Sequence, residues 1–197
     1  MTTTLTKAER TRAALREAAL RHFVAAGFEA ASVPAIAAEV GVTERTFYRH
    51  FTTKDEVLFA DLAEGLDWFR RAIRERPTDE PLTRSVLESL QSAPTDPRLM
   101  VEIARLRREL LSPDRIERVF RDRQAAMAGE LRALLQDRGA EALAAAVRAE
   151  TLAGAVFAAV AVWSDGPDHD LRELGRVTAA ALDQVAPLVN GNAPRTR

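Results

Sequence analysis

The chain has 197 residues and no cysteine, which excludes a disulfide framework and a thiolate metal site. This length suits one large domain or two small ones, with enough residues to bury a core. The formal net charge is −1, but residues 1–55 carry eight basic and six acidic side chains, whereas the remainder carries 20 and 23. A slightly basic N-terminal part on an acidic remainder has the sign expected of a nucleic-acid binder, and alone it decides little.

The N-terminal segment does not resemble a secretion signal, because it is polar at first and then charged as far as Arg21. The longest uncharged apolar run, residues 152–163, has 12 residues. About 20 are needed to cross a bilayer as a helix. We therefore expect a cytoplasmic protein without a membrane span.

Hydrophobic residues recur with the helical period along the whole chain, and no alternating run predicts a strand. The predicted fold class is therefore all-α. Capping residues, glycines and prolines divide the chain into nine helices. They are predicted over residues 6–26, 32–40, 43–50, 55–76, 78–91, 97–110, 113–138, 140–164 and 168–188.

The first helix has clear end signals. Thr6 and Glu9 have the spacing of a capping box, and Gly27 is expected to end the helix in a left-handed conformation. The residues at helical spacing between them predict one buried face, made of Leu15, Ala18, Ala19, His22, Phe23 and Ala26.

Residues 32–51 predict two short helices that meet at a tight turn centred on Gly41, as in a helix-turn-helix motif. In the second helix Phe47 and Phe51 lie four residues apart and can anchor it inward. The outward side chains are then Arg45, Thr46, Tyr48 and Arg49. Arginine can bond guanine bidentately, and hydroxyls reach phosphates or base edges, so this face suits the major groove. An ordinary amphipathic helix with a solvated charged face would give the same local pattern.

The wider string, residues 14–62, resembles the DNA-binding domain of the TetR (tetracycline-repressor-like) family in both order and spacing. The matching elements are Phe23 with Gly27-Phe28, Ser32-Val33, Ile36-Ala37, Gly41-Val42-Thr43, Thr46-Phe47-Tyr48-Arg49-His50-Phe51 and Lys54-Asp55-Glu56-Val57-Leu58. The resemblance implies a nine-helix architecture. It has a helix-turn-helix head over residues 1–54, a helical effector-binding and dimerisation body over 55–188 and a disordered tail over 189–197.

The resemblance also implies roles for individual residues. Ser32 and Thr43, at helix N-termini, would contact phosphates. Tyr48, His50 and Lys54 would also contact the DNA backbone. The implied base readers are Arg45, Thr46 and Arg49, and the implied core of the head is Ile36, Val42, Phe47 and Phe51.

Several positions depart from the family pattern. Arg45 stands where the family often has glycine, so it either reads a base or lies along the backbone. Glu44 is acidic where a basic or neutral residue is common; it favours the helix dipole but would repel a nearby phosphate. Ala35 replaces an expected acidic residue, so the second helix lacks a capping-box partner. His22 stands where leucine is usual and is expected to be packed or exposed at an edge.

The segment Leu143–Trp163 is apolar on nearly every side, and such a helix must be buried on both faces. Pairing with the last helix, against the same two helices of a second copy, would achieve this in a four-helix bundle. A fully buried core helix in a monomer is the alternative. A homodimer would also place two recognition helices on one palindromic operator.

An effector pocket in the body is a further implication of the family. The candidate liners are Trp68, Phe69, Ile103, Arg107, Phe120, Met127, Phe157 and Trp163. Their mostly apolar character favours an apolar or amphipathic small molecule, with any anionic end near Arg105, Arg107 or Arg108.

Catalytic signals are weak: the chain has three histidines, no glycine-rich phosphate loop and no cluster with metal-ligand spacing. We expect no enzymatic activity, no cofactor and no metal. A helical small-molecule carrier is the alternative function, but a carrier has no reason to present Arg45, Arg49 and Lys54. The sequence thus predicts a homodimeric regulator, a repressor released from double-stranded operator DNA by its effector.

Overall fold

The computed structural model of the chain describes residues 6–94, 97–166 and 170–190, without the side chains of 97–99. These residues form helices and no strand, which confirms the all-α prediction. The ten described helices are α1 (Lys7–Ala26), α2 (Val33–Glu39), α3 (Glu44–His50), α4 (Asp55–Leu58), α5 (Ala60–Arg74), α6 (Leu82–Gln91), α7 (Pro97–Leu110), α8 (Pro113–Asp137), α9 (Ala142–Asp165) and α10 (Leu171–Val189).

The described chain has ten helices rather than the nine predicted, because the helix expected over 55–76 is interrupted at Phe59. Phe59 leaves the helical conformation, with φ −117° and ψ 12°. The carbonyl of Leu58, which a continuous helix would use for its own ladder, accepts a hydrogen bond from Arg107 Nε at 2.6 Å. The Arg107 guanidinium also lies 4.9 Å from the centre of the buried Phe59 ring. No local periodicity could have indicated this partner 49 residues away.

The chain divides into two compact units. The first unit comprises Met1–Ala60 and Leu106–Pro113, and the second comprises Asp61–Arg105 and Asp114–Arg197. The sequence placed the boundary between residues 54 and 55. In the structure α4 and the end of α7 belong to the first unit, because the buried residues of α4 pack with α1.

Residues 189 and 190, the first two of the predicted tail, are described by the structure. Val189 is the last residue of α10 and is buried. Asn190 accepts a hydrogen bond from the Thr83 backbone N–H at 3.1 Å and donates one to the Thr83 hydroxyl at 3.0 Å. Residues 191–197, the rest of the predicted tail, lie outside the described residues.

The first unit has an aromatic core. The predicted face of α1 contributes Leu15, Ala18, Ala19 and Phe23, which are fully buried. One member of that prediction was wrong, because Ala26 is exposed. His22 is half-buried at an edge, with its Nε2 2.8 Å from Glu39 Oε2. The capping box between Thr6 and Glu9 is present. The core is completed by Phe28, Ile36, Ala37, Phe47, Phe51, Val57, Leu58 and Phe59.

The second unit is built from longer helices, with α9 and α10 packed along each other. One side of α9 enters the core through Ala145, Ala149, Leu152, Ala153, Val156 and Ala159. The other side is apolar too, yet its large residues Leu143, Val147 and Val162 are 70%, 56% and 65% exposed. Within a single chain, α9 is therefore buried on one side only.

Candidate nucleic-acid interface

The α2 and α3 helices each begin at a residue whose hydroxyl caps the helix. Ser32 accepts from the Ala35 N–H at 3.5 Å, and Thr43 accepts from the Thr46 N–H at 3.3 Å. The connection between the two helices is short. Gly41 has φ +72°, which residues with a Cβ rarely adopt, and the Val42 N–H then bonds the Ala37 carbonyl at 3.0 Å. The sequence from Ser32 to His50 therefore forms a helix-turn-helix.

The α3 helix is anchored by two rings. Phe47 and Phe51 are fully buried, with ring centres 5.6 Å apart, and Tyr48 packs edge-on against Phe47 at 5.5 Å. The opposite face carries the exposed Arg45, Tyr48 and Arg49. Thr46 is half-buried, and its hydroxyl lies 3.2 Å from that of Thr43. The predicted burial of Phe47 and Phe51 is confirmed, and of the four predicted outward residues only Thr46 is not exposed.

His50, the last residue of α3, is held from behind. Its backbone carbonyl accepts a hydrogen bond from the Arg12 guanidinium, which also lies 4.4 Å from the centre of the Phe51 ring. The Nε2 of His50 is buried and has no hydrogen-bond partner among the described residues. Burial lowers the pKa of His50, and the positive charges of Arg49 and Arg12 lower it further. The imidazole is therefore neutral at neutral pH.

Lys54, which was predicted to contact a phosphate, is hydrogen-bonded within the first unit. Its Nζ donates to three backbone carbonyls of the segment after α1: Phe28 at 2.7 Å, Glu29 at 3.1 Å and Ala31 at 3.1 Å. It also lies 4.8 Å from the centre of the Phe28 ring. An ammonium group has three N–H donors, so these carbonyls use all of them. The side chain ties the α1–α2 connection to the start of α4.

Sequence reasoning missed Arg12 as a residue that positions α3. Its partner lies 38 residues away, and no motif marks the pair. In the sequence, Arg12 falls on the charged side of α1. An arginine at such a position is expected to be exposed to solvent. The His50 carbonyl is partly buried and lies at the C-terminal end of a seven-residue helix, where carbonyls lack partners within the helix. This explains why a donor is needed there.

The eight residues predicted to line an effector pocket differ in their surroundings. Phe69, Ile103, Met127 and Trp163 are buried, and Arg107 belongs to the first unit. Phe120 and Phe157 pack against each other, with ring centres 6.2 Å apart. Trp68 lies in a cleft.

That cleft lies between α5 and α6 and has a volume of about 490 Å³. Much of its wall is bonded internally: Trp68 Nε1 donates to Ser92 Oγ at 2.9 Å, and Ser92 Oγ donates to the Ser89 carbonyl at 2.8 Å. Hydrogen bonds from Arg76 and Ser85 lower the pKa of the adjoining Glu80 to about 2. The cleft is lined by Trp68, Arg71, Ala72, Glu75, Arg76, Glu88, Ser89 and Ser92.

A capped second helix that presents two arginines and a tyrosine, after a tight turn and a capped first helix, defines the helix-turn-helix class of DNA-binding domain. Residues 15–60 match the sequence profile of the family described as bacterial regulatory proteins, tetR family. The similarity to this family extends over these residues, which run from within α1 to the start of α5 and include the helix-turn-helix. The name of the matched family describes regulators of bacteria.

One characterised relative is the HTH-type transcriptional regulator TcmR of Streptomyces glaucescens. It is 40% identical over 74 residues, which are 38% of this chain and 33% of that protein. The match thus spans about a third of the relative's length.

The fold as a whole is similar to that of a transcriptional regulator from Rhodococcus sp. Rha1. That structure is 21% identical and has a TM-score of 0.52, with 95% of this chain and 100% of that chain covered. A TetR-family transcriptional regulator from Mesorhizobium loti is 20% identical, with a TM-score of 0.48 and coverage of 93% and 98%. The first similarity supports a helical arrangement that extends beyond the DNA-binding domain.

Proposed function

We propose that the protein is a homodimeric, sequence-specific regulator that represses transcription from a palindromic operator and is released by a small molecule. The observation that carries the proposal is the face of α3. Two buried phenylalanines fix the helix, and Arg45 and Arg49 project four residues apart from the side opposite to them. A buried side for orientation and an exposed arginine pair for contact are what a recognition helix requires.

In this proposal Arg45, Thr46 and Arg49 contact base edges, and Arg45 alternatively contacts the backbone. Ser32 and Thr43 contact phosphates, supported by their position at exposed helix N-termini, where backbone N–H groups point outward. Tyr48 and His50 contact the backbone. For His50 this requires a change of conformation or the other ring nitrogen, because Nε2 is buried.

The homodimer is proposed from the uncovered side of α9, together with α10, where Leu188 is 72% exposed. Monomeric soluble proteins rarely expose large contiguous apolar surfaces. By length and composition α9 is also the one described helix apolar enough to cross a membrane. A core or interface helix of a soluble protein passes the same test, and we assign the uncovered side to a second copy rather than to lipid. Two recognition helices roughly 34 Å apart would then read the two halves of a palindrome.

The effector is proposed to bind the second unit and to be apolar or amphipathic, as the aromatic residues Trp68, Phe120 and Phe157 suggest. Its binding would shift the pair of recognition helices away from the arrangement that fits the operator, and so lower operator affinity. The proposed location is the cytoplasm, where operator DNA is found.

The test is binding of the full-length protein to DNA from upstream of its own coding sequence, measured by fluorescence anisotropy over a range of salt concentrations. We expect binding that persists in excess unrelated DNA. The logarithm of the binding constant should fall linearly with the logarithm of the salt concentration. Binding that unrelated DNA competes away equally well would refute sequence-specific regulation.

Light scattering tests the dimer in the same preparation, with an expected mass of twice the 21.7 kDa chain. Val147→Glu, which places a charge on the uncovered side of α9, is expected to yield the single-chain mass. Arg132→Glu, at an exposed position of α8, serves as the control and should leave the dimer intact. A single-chain mass for the parent protein would refute the homodimer.

A further inference from the structure

Arg123 of α8 makes no hydrogen bond or ion pair with any residue in the described part of the chain. Its side chain is half-buried, and its Nε is shielded from solvent. Removing a guanidinium N–H from water without supplying an acceptor costs free energy. A buried polar group of this kind is therefore a candidate for an acceptor that the polypeptide itself does not provide.

The same flank of α8 carries ion pairs at two positions further along. Glu130, seven residues after Arg123, forms ion pairs with Arg70 at 2.8 Å and Arg74 at 3.8 Å. Asp137, seven residues later again, lies 3.5 Å from Arg74. Residues seven apart lie on one side of a helix. On this flank the carboxylates of residues 130 and 137 therefore have arginine partners, whereas the Arg123 guanidinium has no carboxylate partner in the described residues.

Apolar side chains adjoin Arg123 on both neighbouring turns. Phe120 lies three residues before it and Met127 four residues after it, the two spacings that make neighbours on a helix surface. Phe120 packs edge-on against Phe157 of α9, with centres 6.2 Å apart. Both rings are half-buried and therefore partly accessible, whereas Met127 is buried in the core.

We propose that Arg123 and the Phe120–Phe157 ring pair form a binding site for a small organic carboxylate with an apolar body. The guanidinium fork matches the two carboxylate oxygens, and the rings receive the apolar part. The proposal rests on the effector-binding role proposed for the second unit and specifies the chemical class of the effector.

The other arginines considered for an anionic end are already engaged. Arg105 pairs with Glu102 at 2.6 Å, Arg107 donates to the Leu58 carbonyl, and Arg108 also has an interaction within the chain. Arg132, on the same helix as Arg123, also has no ion-pair partner in the described residues, but it is exposed, so water satisfies it. Arg123 differs from these arginines because it is half-buried, its Nε is shielded and unpaired, and Phe120 lies one turn before it on α8.

The experiment is isothermal titration calorimetry of the full-length protein with phenylacetate, 4-phenylbutyrate and decanoate, each compared with its neutral amide. At least one carboxylate is expected to bind, and its amide roughly ten-fold more weakly or worse, because the charge-assisted hydrogen bonds are lost. Arg123→Gln should weaken carboxylate binding by a similar factor and bring acid and amide close together. Arg132→Gln is the matched control and should bind like the parent.

Three results would overturn the proposal: no carboxylate binds the parent, acid and amide bind it equally, or Arg123→Gln binds the acid as the parent does. Operator binding by Arg123→Gln without ligand keeps the two proposals apart. The operator affinity of the variant should equal that of the parent. If neither protein binds the operator, the proposed regulatory function is refuted, and the proposed carboxylate site is not. In the parent, the bound carboxylate should also weaken operator binding, and this effect should be lost in Arg123→Gln.

Discussion

The two units of the molecule use their cations differently. In the first unit three long basic side chains donate to backbone carbonyls: Arg12 to His50, Lys54 to the segment after α1, and Arg107 to Leu58. In the second unit most described arginine contacts are with carboxylates on the surface, for example Arg74 with Asp137 and Arg176 with Glu173. The difference follows the lengths of the helices that each unit contains.

The α3 and α4 helices have seven and four residues, whereas α8 and α9 have 25 and 24. Short helices are not stable alone, and a large share of their carbonyls has no partner within the helix. A cation placed at such carbonyls both satisfies them and fixes where the helix ends. Long helices satisfy nearly all their own carbonyls, so their cations remain available for surface pairs, which contribute little.

The largest effect on stability is expected from Lys54→Met. The substitution leaves three carbonyls without their donor, and hydrogen bonds to charged groups contribute about 1.5–3 kcal/mol each in favourable cases. We expect a loss of at least about 2 kcal/mol in the free energy of unfolding, measured by urea denaturation followed by circular dichroism. Lys7→Met, at an exposed lysine of α1, is the control and should have almost no effect. The salt dependence of DNA binding by the folded variant should be unchanged, since the three N–H donors of Lys54 are already used by carbonyls. A slope lower by about one unit would support the predicted phosphate contact.

Arg49→Ala is expected to act on DNA binding and leave stability almost unaltered, because this exposed cation serves no carbonyl in the described structure. Operator affinity should fall by about 1–3 kcal/mol, and discrimination should relax at one base position. Competition titrations against operators with single base changes measure both. An even loss over all sequences would instead make Arg49 a phosphate contact.

Arg74→Gln tests the surface pairs of the second unit. Its partners Glu130 and Asp137 lie 3.8 Å and 3.5 Å away, and its side chain is 47% exposed. The loss of unfolding free energy should stay below about 1 kcal/mol and shrink further in high salt. A loss as large as that of Lys54→Met would show that the two units do not differ in this way.

The smallest effect is expected from His50 and depends on pH. Its folded pKa is lowered, so below the unfolded value of about 6.5 the unfolded chain binds more protons than the folded one. The contribution of His50 to stability is therefore complete above about pH 6.5 and declines as the pH falls through the window below it. Unfolding free energies measured between pH 7.5 and 5 should decline less in His50→Gln than in the parent. Equal pH dependence in the two proteins would contradict the lowered pKa.

Much of the helix-turn-helix could be predicted from sequence because its signals are local. The hydroxyl caps at Ser32 and Thr43, the positive φ of Gly41 and the buried pair Phe47 and Phe51 each depend on a few neighbouring residues. The sequence could not predict whether the eight candidate effector residues line one pocket. Their positions depend on how the long helices are rotated about their axes when they pack against each other. Helical periodicity identifies an inward face and does not distinguish a cavity wall from a packed core.

The sequence by itself determined the helical class, the caps and the outward face of α3, since these follow from spacing and backbone preference within one or two turns. Only the tertiary structure decided what each cation does. The sequence predicted that Lys54 contacts a phosphate and that Arg107 lines a pocket. In the structure both donate to backbone carbonyls, which lie 23 to 49 residues away in the chain. Arg123, in contrast, was left without an acceptor. A charged side chain that is buried on folding needs a hydrogen-bond or ion-pair partner. Which group lies close enough to be that partner depends on long-range packing, which a local sequence pattern does not predict.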